Sequence, residues 1–157
     1  MALTPCRGTW TNRLLDSKST ATFVRGSAVC LAPDRTVIEY ASVKSAWLGI
    51  ALNSSVDSGP YGGGKVLVAM PSGADCTFMG LIDTNLAASE LSIGTPVAIS
   101  KSGNTVDLID EAPQASAFSR VGMIYGKPIL SPVSMIEVAC TNVAGVFFSS
   151  STVTLAT

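Results

Sequence analysis

The feature that most restricts the fold is a rhythm. Short segments rich in Val, Ile, Ala and Thr are cut at intervals of about eight to fifteen residues by turn signals such as Pro33-Asp34, Gly59-Pro60, Ser72-Gly73 and Gly103-Asn104. Such punctuation leaves little room for a helix of several turns, whereas strands of about five residues fit between the breaks. The spacing therefore predicts an all-β chain, with strands over residues 28–31, 36–40, 46–52, 65–70, 76–82, 96–100, 105–109, 120–125 and 134–141. A helical turn is expected only at 85–90 or in a piece of 112–118, where Ala, Leu and Glu cluster without β-branched residues.

The rhythm repeats once at long range. Gly26-Ser27-Ala28-Val29-Cys30-Leu31 leads to Trp47-Leu48-Gly49-Ile50-Ala51-Leu52 and then to Lys65-Val66-Leu67-Val68-Ala69-Met70. In the same order, Gly94-Thr95-Pro96-Val97-Ala98-Ile99 leads to Arg120-Val121-Gly122-Met123-Ile124-Tyr125 and then to Met135-Ile136-Glu137-Val138-Ala139-Cys140. Self-similarity at this spacing predicts two related β-units closing into one small barrel or sandwich. The units are placed at about 23–82 and 91–142, within a domain spanning 23–142. Gly26 and Gly94 suit turns entering a strand, and Gly49 and Gly122 suit bends inside one.

The two ends differ from this body. Residues 1–22, with Trp10, Arg13 and many Ser and Thr, show little apolar alternation and are expected to form an extended arm. Residues 143–157, which include Phe147 and Phe148, are β-prone and carry no charge, so they are expected to form a strand that pairs with its own sheet or with a neighbour.

Charged residues are 13% of the chain, about half the usual ~25%, while 47% are hydrophobic and the mean hydropathy is +0.43. A soluble monomer rarely exposes large contiguous apolar area, so part of the surface is expected to be covered by other chains. A net charge of -1 without basic clusters argues against nucleic acid. The apolar runs are too short to span a bilayer as a helix, and the first residues lack a secretory core. Neither a membrane nor export is expected.

Enzyme chemistry finds little support. With no histidine, Ser–His and Cys–His nucleophiles are excluded, and no His completes a zinc site with the scattered Cys6, Cys30, Cys76 and Cys140, which read as reduced apolar fillers. Gly59-Pro60-Tyr61-Gly62-Gly63-Gly64-Lys65 matches the letters of a phosphate loop, yet Val66 stands where Ser or Thr is needed and a strand follows instead of a helix. Tyr61 is then a contact residue at a glycine-rich tip. Asp107, Asp110 and Glu111 read as solvated strand-end acids, and Ser100-Lys101-Ser102 before Gly103-Asn104 as a hairpin turn. No catalytic, cofactor or metal residue is expected. The interface candidates are Trp10, Arg13, Tyr61, Phe147 and Phe148, whereas Trp47 is expected in the core.

From about residue 23 to 142, the glycine-entered strand Gly26-Ser27-Ala28-Val29, the Leu48-Gly49-Ile50-Ala51-Leu52 strand and the Lys65-Val66-Leu67-Val68 strand, echoed by Gly94-Thr95-Pro96-Val97 and Val121-Gly122-Met123-Ile124, resemble the decoration, or cement, proteins of bacteriophage heads. The resemblance implies a non-enzymatic virion component made in the host cytoplasm. It also implies a homotrimer that seats on the major capsid protein where its subunits meet. Another virion part, such as a head–tail joining or fibre-base protein, and a ligand-binding β-barrel are the alternatives.

Overall fold

The computed structural model describes residues 2–40, 47–55, 64–73, 75–82, 86, 88–99, 105–108, 120–130 and 133–140. Its strands are β1 (Leu3–Arg7), β2 (Trp10–Asp16), β3 (Ala28–Leu31), β4 (Val37–Glu39), β5 (Gly49–Ala51), β6 (Lys65–Pro71), β7 (Thr77–Leu81), β8 (Pro96–Ile99), β9 (Val106–Leu108), β10 (Arg120–Ile124) and β11 (Met135–Cys140). Every strand expected from the turn rhythm is present, each within a few residues. The first expected helical turn is a 3-10 turn at Ala88–Glu90; the second falls outside the described residues.

The strands form two antiparallel sheets. The first runs β2-β6-β5-β3-β4, and the second runs β7-β11-β10-β8-β9 with β1 added outside β7. Taken in chain order, the two strand orders are the same. Their backbone hydrogen bonds also correspond. The Gly26 N–H donates to the Ala51 carbonyl as Gly94 does to Ile124, and the Ala51 N–H donates to Ser27 as Ile124 does to Thr95. Ser17 donates to Gly64 as Ile82 does to Ser134. Gly26 and Gly94 both hold a left-handed φ, at 88° and 91°. A Cβ would lie 2.2 Å from the Ala69 carbonyl oxygen at Gly49 and 2.1 Å from that of Ala139 at Gly122, and a backbone oxygen within a ladder has no room to retreat.

The barrel alternative is corrected. Among the described residues, the end of β2 meets β4 and the end of β7 meets β9 at one isolated parallel bridge each, Ser17 with Val37 and Ile82 with Val106, so neither ladder is closed. The arrangement is sandwich-like. Ala28, Cys30, Tyr40, Trp47 and Ile50 from the first sheet share a buried cluster with Leu3, Phe78, Ile99, Ile124, Ile136 and Val138 from the second. Trp47 lies in the core as expected, its ring 5.6 Å from Phe78 at a tilt of 52°. Phe23, Val29, Val37, Ala51, Val66 and Val68 make a smaller cluster on the other face of the first sheet.

The extended N-terminal arm is also corrected. Residues 3–7 form the edge strand β1 of the second sheet, and residues 10–16 form the edge strand β2 of the first. β2 pairs with β6 from Trp10 opposite Pro71 to Asp16 opposite Lys65, so removing the chain's beginning would strip an edge from each sheet. Sheet membership changes between Pro71 and Thr77, whereas the sequence reading put residues 77–82 in its first unit.

Candidate interaction surface

In the second sheet the outer edge of β7 is covered. The Cys140 N–H bond to the Cys76 carbonyl and the Ile82 N–H bond to the Ser134 carbonyl mark the even-numbered residues of β7 as those bonded toward β11, which leaves Thr77, Met79 and Leu81 to face β1. The Leu81 N–H donates to the Ala2 carbonyl at 3.1 Å. A polar contact fastens the same edge: the buried Glu137 of β11 takes the Arg7 Nε–H of β1 at 2.9 Å and the Thr77 hydroxyl of β7 at 2.6 Å. Three strands are thereby tied at one carboxylate.

At the far end of the second sheet lies an apolar group. The Gly94 N–H bond to the Ile124 carbonyl holds the turn carrying Ile93 against the end of β10, where Tyr125 follows. The chain then runs through Ile129, Leu130 and Val133 before entering β11. Ile93, Tyr125, Ile129, Leu130 and Val133 are 49–68% exposed, although their neighbours in the strands are buried. The backbone around Tyr125 and Ile129 is held by hydrogen bonds. Ile129 and Met135 exchange two hydrogen bonds of 2.8 Å, and the N–H groups of Tyr125 and Gly126 both reach the Glu137 carbonyl. An apolar group on a pinned backbone loses little further freedom when a partner covers it.

The interface residues proposed from sequence are distributed differently. Trp10 and Arg13 both lie on β2 but, three residues apart, on opposite faces. Trp10 is half-buried against the shared core, and its indole N–H donates to the Arg7 carbonyl at 2.9 Å, so it stiffens the β1–β2 turn. Arg13 is exposed at mid-strand, opposite Val68. Tyr61, Phe147 and Phe148 lie outside the described residues. Sequence reading missed the group at Tyr125 to Val133. The signal was there: Pro128 and Pro132 bracket Ile129-Leu130, and a loop confined by two prolines has little means of burying large apolar side chains.

No catalytic constellation stands out among the described residues, nor does a group of three or more Cys, Asp or Glu that could hold a metal. Cys30, Cys76 and Cys140 are buried reduced thiols and Cys6 is an exposed one. Burial, and then the neighbouring Cys76, push the Cys140 thiol well above its ordinary range, so it stays protonated and inert. Among the described residues no helix is long and apolar enough to cross a membrane. No protein-family model and no curated protein matches the chain.

Proposed function

We propose that this is a non-enzymatic decoration protein of a phage head. It trimerises, binds the major capsid protein on the outside of the shell and holds neighbouring capsid subunits together. The observation that carries the reading is the apolar group Ile93, Tyr125, Ile129, Leu130 and Val133, displayed on a pinned backbone in a chain of low charge. Such a group suits binding to a preformed protein surface and offers nothing for bond-making chemistry. The shell as partner comes from the sequence resemblance. Several copies gripping one lattice would strengthen the clamp by multivalency alone.

The test is co-sedimentation with expanded shells of the source phage. Leu130→Asp with Ile129→Ser should abolish attachment, a loss of at least tenfold in apparent affinity, while the far-UV circular dichroism stays β-dominated. Unchanged attachment by that double variant would remove this surface from the function.

A further inference from the structure

The two sheets share a ladder but differ at one edge, and that difference points to a second copy of the chain. In the first sheet β2 holds the position that β7 holds in the second. The register aligns Asn12 with Thr77, Leu14 with Met79 and Asp16 with Leu81. The Ser72 N–H bond to the Thr9 carbonyl and the Ser17 N–H bond to Gly64 mark the odd-numbered residues of β2 as those bonded toward β6. The N–H and carbonyl groups of Asn12 and Leu14 therefore face away from the sheet, as those of Thr77 and Met79 do. Those of β7 meet β1; among the described residues, the outer side of β2 is met only beyond its end, where Ser17 bridges Val37 and the Lys18 N–H donates to the Val37 carbonyl. Leu14 stands half-exposed there between the exposed charges Arg13 and Asp16, an apolar side chain at the middle of the open edge.

We propose that residues 143–157 of a neighbouring copy add to this edge as an antiparallel strand, and that copies joined in this way close into a ring. The donor's sequence fits. Val146-Phe147-Phe148 and Val153-Thr154-Leu155 are β-prone, and the segment has no charged residue to desolvate. The seven residues of β2 span roughly 23 Å at ~3.3 Å each, a length this segment covers when extended. The departure point decides between its own chain and a neighbour. β11 ends at Cys140, whose N–H donates to the Cys76 carbonyl, and the Cys76 thiol donates to the Thr9 carbonyl, so the chain leaves beside the first residue of β2. Continuing directly from there, a chain would run parallel to its own β2, yet every strand ladder among the described residues is antiparallel, parallel pairing being confined to two isolated bridges. A neighbour entering from the Asp16 end supplies the antiparallel partner. A donor on one side of each copy and an acceptor on another make a head-to-tail interface, which closes as a ring when the rotation allows. Only self-association is shared with the decoration reading.

The experiment is light scattering on the purified full chain, without shells, beside a variant lacking residues 143–157 and the variant Leu14→Pro. The proline removes one outward N–H and leaves the bonds to β6 in place. The wild type should be oligomeric and both variants should fall to the single-chain mass with unchanged circular dichroism. In a Cys6→Ser background, Leu14→Cys combined in turn with Val146→Cys, Phe148→Cys, Ser150→Cys and Thr152→Cys should give crosslinks between chains on oxidation. A wild-type monomer, an oligomer that survives both changes, or a crosslink confined to one chain would overturn the proposal. None of these results bears on shell binding, which is read separately.

Discussion

Phe78 and Arg13 occupy the same rung in the two sheets. Phe78 stands opposite Val138 in β11, Arg13 stands opposite Val68 in β6, and the bonding pattern around them matches. Phe78 is nonetheless fully buried under the ring of Trp47, whereas Arg13 is exposed. The backbone plan is held by the glycines and by inward β-branched residues such as Val29 and Val97 or Val68 and Val138. What sits on the remaining positions depends on cover. The second sheet, wrapped by β1 and by the face of the first, supplies most of the core; the first sheet presents its β2 edge outward.

The sharpest way to break this comparison is to truncate both members of the rung. Phe78→Ala should cost about 3–5 kcal/mol, since a large buried ring leaves a cavity. Arg13→Ala should stay within about 0.5 kcal/mol, as for an exposed position without packing. Urea unfolding of the two variants measures this, and similar costs would mean that the sheets do not differ in the way their burial indicates.

The next largest effect concerns the fastening of β1. Where the second sheet has Glu137, the register gives the first sheet Leu67, which has no third strand to tie. Glu137→Gln should cost about 1–3 kcal/mol by weakening a buried, charge-assisted contact. Most of that lies in the carboxylate and Thr77, because the Arg7 side chain is largely exposed and its ion pair is screened. Hydrogen exchange should quicken at the Leu81 amide, which donates to Ala2, and leave β8 to β10 protected. Exchange that rises evenly across both sheets would refute a local clamp.

How legible this was from sequence follows the same division. Strands buried on at least one face, such as β3, β6 and β11, carry runs of Val, Ile and Ala that the turn rhythm isolates. β1 and β2 carry no such pattern: Pro5 interrupts Leu3–Arg7, and four consecutive exposed residues in β2 erase the alternation. From sequence they therefore read as an arm. A strand held by its backbone ladder alone leaves little trace in its side chains. The apolar group near Tyr125 was obscured for the opposite reason, since Ile and Leu in a chain of this hydropathy read as core until burial is known. Of the residues named as interface candidates, Trp10 turned inward because its indole found the Arg7 carbonyl, a contact between residues on different sheets that spacing does not reveal.

The smallest effect is a local response to acid that should distinguish the two β-hairpins equivalent in the sheets. In the turn between β3 and β4, Asp34 accepts the Thr36 hydroxyl at 2.5 Å and the Thr36 N–H at 3.1 Å, and Lys18 approaches its other oxygen at 3.1 Å. These contacts, led by the Thr36 hydroxyl, lower the carboxyl to about 2. The folded value lies below the ordinary ~3.9 of an unfolded Asp, so the contribution is fully present above about pH 4 and is lost as pH falls through about 2. The carboxylate also steadies a turn in which Arg35 holds a left-handed φ of 68°, a conformation an L side chain adopts at a cost. In the second half the segment between β8 and β9, residues 100–105, is one residue longer and contains no carboxylate. Between pH 4 and 2 the amides of residues 34–36 should lose protection, as read by NMR. Asp34→Asn, which keeps an acceptor but cannot titrate in this range, should flatten that dependence. If the variant loses protection over the same pH interval as the wild type, the titrating group lies elsewhere, and the acid response no longer separates the two hairpins.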